Sequence, residues 1–143
     1  MRMMLAVVGL ALSVTAVNAQ DPVKTREDLM NQNNKNGKLL SLMARGRQPF
    51  DAAKVNAALD QYADTAKQLP NLFPDNAKTG GDNRASPKIW ENKADFNAKV
   101  AEFGKVVAEV KPKMQTLAGL KANLRVLAKT CDGCHDTYRL AKK

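Results

Sequence analysis

The feature that most constrains the fold of this 143-residue chain is an apolar repeat with steps of three and four residues. From Asp21 onward almost no stretch alternates apolar and polar residues, whereas four stretches follow the longer steps. Such steps line one face of an α-helix and do not suit a strand. The sequence therefore predicts an all-α fold. The longest ladder consists of Leu117, Leu120, Leu124, Leu127, Cys131, Cys134 and Tyr138.

Capping and helix-breaking residues predict where the four helices begin and end. Asp21 followed by Pro22 is a typical helix start, and Gly46 supplies a left-handed stop for the first helix. Four such helices, joined mostly by short links, pack most simply as an antiparallel up-down-up-down four-helix bundle. The same kinds of signal predict that the second helix lies between Asp51 and Pro70. They predict that the third starts near Asp95 and stops at Pro112.

One connection is long. Residues 70–88 are rich in Pro, Gly, Asn and Asp, and a connection of this length in a small domain usually has a function or covers something. The alternative is a crossover loop that is only pinned to the bundle by apolar anchors. The candidate anchors are Leu72, Phe73, Ile89 and Trp90.

The chemistry of the chain is limited by its one His and two Cys. A single His excludes metal sites that need two or three imidazoles, and with them much of zinc and non-haem iron chemistry. The three residues form Cys131-x-x-Cys134-His135, the attachment sequence of c-type haem. Two thiols at this spacing reach the two vinyl groups of a porphyrin, and the adjacent imidazole binds the iron. We therefore expect one covalently attached haem c.

Two other interpretations of the cysteine pair remain open at this point. A redox-active dithiol of the thioredoxin kind follows a strand and lies at a helix N-terminus, whereas Cys131 and Cys134 are predicted at the end of a helix. A structural disulfide between positions i and i+3 of one helix has poor geometry. Both are disfavoured relative to haem attachment.

The first residues predict export. Arg2 precedes an apolar stretch at 5–12, and Val17-Asn18-Ala19 is a small-x-small cleavage pattern. We interpret residues 1–19 as a removed signal peptide and 20–143 as a single domain in the periplasm. The alternative, a membrane anchor, needs a longer apolar stretch, and the mean hydropathy of −0.42 argues against several membrane spans.

The sequence resembles the class II c-type cytochromes, which include cytochrome c′. The resemblance extends over residues 21–143 and depends chiefly on a C-x-x-C-H motif near the C-terminus, followed by Arg139. Weaker points are the segments 26–30 and 87–90. The resemblance implies a haem near the C-terminal helix of a four-helix bundle.

The same resemblance places Met30, four residues after Arg26, on the distal side of the haem. In the low-spin branch of the family this residue is a methionine ligand, and the protein carries electrons. In five-coordinate cytochromes c′ an apolar residue screens an open position that binds NO or CO. Met30 is thus the expected second axial ligand, with an apolar gap-filler as the alternative. Met43 lies on another face of an ideal helix, and Met114 is expected to fill space.

Three further residues are candidates for contact with the cofactor. The resemblance implies that Arg26 approaches a haem propionate, the alternative being a solvated side chain. Arg139, one turn after His135, is a candidate for tuning the imidazole. Trp90 is expected either at the haem edge or in the core.

Charge suggests the kind of partner. The formal net charge is +9, and residues 111–143 hold eight Lys and Arg against two Asp. Such a field steers acidic redox proteins toward the haem helix, although a solvated basic face is the alternative. Nucleic acid is not expected, because basic and aromatic residues do not interleave. We expect an electron carrier rather than an enzyme, with acidic redox partners, no membrane span after cleavage, and a monomeric or homodimeric state.

Overall fold

The computed structural model describes residues 21–80 and 83–141, and the predicted signal peptide lies outside them. The described chain is helical apart from its turns and one isolated β-bridge. None of the described helices is long and apolar enough to cross a bilayer. The helices are α1 (Pro22–Ala44), α2 (Ala52–Gln68), the short α3 (Lys88–Glu91), α4 (Lys93–Val110) and α5 (Leu117–Tyr138).

The four long helices form an antiparallel ring. Each packs against the next in the chain, and α1 closes the ring against α5. Asp95 at the start of α4 accepts a hydrogen bond from Tyr138 at the end of α5, so these two helices run in opposite directions. Arg26 near the start of α1 contacts the chain that follows α2. The predicted up-down-up-down bundle is confirmed.

Most of the predicted helix ends are confirmed. The Asp21 side chain accepts a hydrogen bond from the Val23 N–H at 2.9 Å, and Gly46 adopts a positive φ of 69°. Asp51 caps α2. The third long helix starts near Asp95, as predicted: α4 begins at Lys93, two residues earlier.

The cap of α4 explains the difference. The side chain of Asn92 accepts a hydrogen bond from the Asp95 N–H at 3.2 Å, so Asn92 is the N-cap and Asp95 lies within the first turn. Asn is a good N-cap residue, so the chain places the start of α4 two residues before Asp95. Helix α3 was not predicted, since its four residues are too few to show a period.

Two groups of buried side chains hold the bundle together. The larger, here called the bundle core, joins all four long helices and contains two methionines that are almost completely buried. Burial of so many apolar side chains is the main force that holds the helices in register. The bundle core comprises Leu40, Met43, Val55, Ala58, Leu59, Tyr62, Phe103, Val106, Val107, Val110, Met114, Leu120 and Leu127.

The smaller group, here called the connection cluster, lies at the end of the bundle that the long connection covers. It comprises Leu69, Phe73, Ile89, Phe96, Val100 and Tyr138, with Leu72 and Trp90 packed against it. All four predicted anchors of residues 70–88 therefore contact this cluster. The connection is pinned to the bundle by these apolar contacts, and it also covers the end of the bundle at which the cluster lies.

Candidate haem site

The two cysteines lie in the last turns of α5, at the junction of the two buried clusters. Cys131 packs against the bundle core and Cys134 against the connection cluster. Both thiols are half-buried and free. A group attached to both sulfurs would therefore lie against both clusters at once.

The environment of these thiols does not suit thiolate chemistry. Burial raises the pKa of both thiols, and for Cys131 the carboxylate of Asp132 adds to this effect. A redox-active dithiol needs the opposite shift, which a helix N-terminus or a nearby cation supplies. The position at the C-terminal end of α5 and the raised pKa values both argue against the dithiol interpretation.

His135 follows Cys134 on α5 and is half-buried. Burial lowers the pKa of its imidazole, and the positive charges of Arg139 and Arg84 lower it further. The neutral form, which is the form that binds a metal, is therefore favoured at neutral pH.

The three methionines after residue 20 lie in different surroundings. Met43 and Met114 are buried in the bundle core, with 1% and 0% of their surfaces exposed. Met30 is half-buried and packs against the connection cluster, as Cys134 does. The expectation that Met43 and Met114 are core residues is confirmed, and Met30 shares a cluster with one of the haem-attachment sites.

Arg26 is buried, with 5% of its surface exposed, so the solvated alternative is wrong. Its Nη1 donates a hydrogen bond to the Leu72 carbonyl at 2.9 Å, and its Nη2 donates to the Ala77 carbonyl at 2.8 Å and to Asn83 Oδ1 at 3.0 Å. The guanidinium also lies 4.8 Å from the centre of the Phe73 ring. Arg26 thus ties the long connection to α1, one turn before Met30.

Trp90 fixes the same connection from its other side. Its Nε1 donates hydrogen bonds to the carbonyls of Phe73 and Pro74 at 3.1 and 3.2 Å. Its ring packs edge-on against Phe73. Trp90 is half-buried at the rim of the connection cluster rather than within it.

Arg139 ends α5, and its backbone joins the C-terminal residues to the connection. Its N–H donates to the His135 carbonyl at 3.1 Å, and it forms an antiparallel bridge with Ala85. Arg84 strengthens this junction, because its Nε and Nη2 donate to the Leu140 carbonyl at 3.0 and 2.7 Å. The connection and the C-terminus are thereby held together beside His135.

Sequence reasoning missed two polar contacts that surround the site. Tyr138 donates to the Asp95 carboxylate and so fixes the end of α5 to α4. Tyr62 donates to the Asn33 carbonyl at 3.1 Å, beside Gly37, where a Cβ would lie only 3.3 Å from the Tyr62 hydroxyl. A glycine within a helix and a tyrosine in an apolar ladder are weak signals of such a contact.

The donor set fits a c-type haem. Two free thiols and a half-buried, neutral imidazole lie within one turn of α5. Within residues 21–80 and 83–141, no group of three His, Cys, Asp or Glu side chains could hold a bare metal ion. The apolar walls on both sides of the thiols suit a large planar ring.

Comparisons with known proteins agree with this site. The family model of cytochrome c′ matches residues 21–139. The chain is 40% identical over 136 residues to cytochrome c-556 of Rhodopseudomonas palustris. This match covers 92% of the chain and 91% of the relative. It is 37% identical over 127 residues to cytochrome c′ of the same organism, which covers 89% and 87%.

Solved structures show the same fold. Cytochrome c′ from Rhodopseudomonas palustris superposes with a TM-score of 0.82 at 36% identity, over 87% of this chain and 99% of that one. A structural model of oxidised cytochrome c556 from that organism gives a TM-score of 0.78 at 38% identity, with the same coverage. The chain belongs to the cytochrome c′ family and carries a single haem c attached covalently through Cys131 and Cys134.

Proposed function

We propose that this protein is a periplasmic, low-spin cytochrome that carries single electrons, with His135 and Met30 as the two axial ligands. The observation that supports this best is the position of Met30. It is the one methionine after residue 20 that lies outside the bundle core, and it packs against the cluster that also contacts Cys134. The relatives named cytochrome c-556 are compatible with a methionine-ligated iron.

The haem supplies a one-electron couple between Fe(III) and Fe(II), and a His/Met ligand pair raises its reduction potential. The chain's own residues hold and shield this group. The bundle core contacts Cys131 and the connection cluster contacts Cys134, so both clusters would pack against the haem. Because the only imidazole serves as a ligand, we propose electron transfer rather than catalysis.

Two arginines and one tryptophan have supporting roles in this proposal. A guanidinium has five N–H donors, and Arg26 uses three on the connection, so two remain for a haem propionate. Trp90 lies at the rim of the connection cluster, where a haem edge would be shielded. Arg139 is placed to adjust the imidazole of His135 through its charge.

The location is proposed from the first 19 residues, which have the pattern of a cleaved export signal. Export would deliver the chain to a compartment in which redox proteins exchange electrons by collision. The partners we propose are acidic redox proteins, because the net charge is strongly positive.

A second candidate function is gas binding at a five-coordinate iron. The relative named cytochrome c′ is nearly as similar as the first c-556, and a methionine that only packs against the distal side also fits the contacts of Met30. In that case the iron would have an open position for NO or CO.

One optical experiment separates the two functions. The protein is matured in a host with haem-attachment machinery, reduced, and exposed to CO. We expect sharp low-spin bands, the weak red band of a methionine–iron bond in the oxidised form, and no change with CO. A high-spin ferrous spectrum that shifts promptly with CO would show that Met30 is not a ligand.

A pair of variants assigns the ligand. Met30→Ala should convert the low-spin spectrum to a high-spin one that responds to CO, whereas Met43→Ala, the same change in the bundle core, should keep the low-spin spectrum. If Met30→Ala also remains low-spin, another group is the ligand.

A further inference from the structure

The junction between the connection and the C-terminus forms a small surface beside His135. The Ser86 N–H donates to the Tyr138 carbonyl at 3.0 Å, and the Leu140 N–H donates to the Arg84 carbonyl at 2.8 Å. Together with the bridge between Ala85 and Arg139, these bonds fix two short backbone segments side by side. The side chains that this junction presents are therefore held by a rigid backbone.

Three positive side chains at this surface form no ion pair with a described carboxylate. Arg84 and Arg139 are both close enough to His135 for their charges to act on the imidazole, and the exposed Lys88 lies at the start of α3. The ion pairs found among the described residues involve none of these three side chains. Their charge is thus available to a partner.

The same surface exposes an apolar side chain. Leu140 is 46% exposed, and in the described part of the chain only Val126 is a more exposed large apolar residue. An exposed apolar side chain beside positive side chains suits a transient docking surface. The apolar contact holds the partner, and the charges orient the partner as it approaches.

Two negative charges lie close to this surface. Asp132 and Asp136 are exposed and act on His135 with the opposite sign to the two arginines. They precede Arg139 by seven and three residues, so they lie on the same face of α5 as Arg139. Arg84 belongs to the connection and not to α5, so an acidic partner that contacts Arg84 and Leu140 approaches from the side of the connection.

We propose that Arg84, Arg139 and Leu140 form the docking surface for an acidic electron-transfer protein, which binds beside the proximal ligand His135. This inference rests on the proposed function, since it assigns the place where the electron enters or leaves. In each encounter the partner gives one electron, and the haem iron is reduced from Fe(III) to Fe(II) with no proton transferred. The reverse step returns the electron to an oxidised partner.

The test uses the haem-containing protein and an acidic flavodoxin as the probe. Binding of the two oxidised proteins is measured by calorimetry at low ionic strength, where no electron moves. Electron transfer is then followed after mixing with flavodoxin hydroquinone, which is oxidised to the semiquinone. The variant is Arg84→Gln with Arg139→Gln. Its control is Arg125→Gln with Lys129→Gln, which removes the same charge from the exposed face of α5 further from the junction.

We expect the Arg84/Arg139 variant to bind about tenfold more weakly at low ionic strength and to lose most of the salt dependence of its rate. The Arg125/Lys129 control should bind at most about twofold more weakly. Leu140→Ser should weaken binding without changing the salt dependence. Equal effects of the two double variants would overturn the proposal, because net charge alone would then explain binding.

Loss of the hydrogen bonds from Arg84 to Leu140 could also destabilise the junction. Arg139→Gln alone avoids this, since no side-chain hydrogen bond of Arg139 occurs in the described residues, and it should still weaken binding more than Arg125→Gln does. If it does not, the proposal is wrong. A failure of Met30 ligation would instead appear in the optical spectrum, so the two proposals fail separately.

Discussion

The bundle core and the connection cluster differ in composition and in how they are assembled. The bundle core is mostly aliphatic, and all its members except Met114 belong to the four long helices. The connection cluster is aromatic: the rings of Trp90, Phe73, Phe96 and Tyr138 form a chain of edge-on contacts with centres 4.8 to 5.8 Å apart. It also depends on a segment that belongs to no long helix.

The polar contacts of the two regions differ as well. The bundle core makes few polar contacts, and Tyr62 is its one member with a hydroxyl group. The connection cluster is surrounded by a buried guanidinium, an indole N–H and a tyrosine hydroxyl, each with a defined partner. We expect the bundle core to supply most of the stability, and the connection cluster to hold Arg26, Trp90 and Tyr138 in fixed positions. Variants in both regions test this division.

The largest effect on stability is expected in the bundle core. Met43 is 1% exposed, and Met43→Ala should lower the free energy of unfolding by about 3 kcal/mol through lost burial and a residual cavity. Chemical denaturation of the haem-containing protein measures this loss. The reduced optical spectrum should stay low-spin, and a high-spin spectrum would contradict the division between the two regions.

An intermediate effect is expected where α1 meets the connection. Arg26→Met keeps an apolar stem but removes three hydrogen bonds, which should cost about 2 kcal/mol and release the connection. Hydrogen exchange should become faster at residues 72–80 and stay unchanged in the middle of α4. Faster exchange throughout the bundle would show that Arg26 supports the whole fold and not this segment.

The smallest effects concern the two tyrosines, one in each region. The hydrogen bond to Asp95 raises the pKa of Tyr138 to about 12. Burial raises the pKa of Tyr62 by more than this. Because an unfolded tyrosine titrates near pH 10, both contribute stability that is complete below about pH 10 and falls above it. The contribution of Tyr138 to the unfolding free energy should be lost by about pH 12, whereas that of Tyr62 should continue to fall at higher pH.

Single Phe variants separate these contributions. Each should cost about 1 kcal/mol at neutral pH and make the alkaline fall in unfolding free energy less steep. Because the chain has only two Tyr, the double variant should remove the tyrosine part of this fall completely. An unchanged alkaline profile in Tyr138→Phe would mean that its bond to Asp95 does not form in solution.

The bundle core could be predicted from the sequence because it follows from local periodicity. In α4, the ladder residues Phe103, Val107 and Val110 are buried in the bundle core, and the other two, Phe96 and Val100, are buried in the connection cluster. The C-x-x-C-H motif likewise predicted the attachment site, since its chemistry depends on spacing within one helix. These features need no knowledge of how distant segments meet.

The partners of Arg26 could not be predicted in this way. Leu72, Ala77 and Asn83 lie 46 to 57 residues further along the chain, and two of the three contacts are to backbone carbonyls, which every residue carries. The bond between Tyr138 and Asp95 has the same character, since it joins residues 43 apart. Contacts made by loops depend on the path of the chain, and no local pattern encodes that path.

The position of the two thiols at the junction of the clusters has a consequence for biogenesis. Thiolates react faster than thiols, and in the folded bundle Cys131 and Cys134 are half-buried with raised pKa values. Thioether formation is therefore easiest on a chain whose α5 has not yet packed. We therefore expect haem attachment to be faster on the unfolded chain than on the folded bundle.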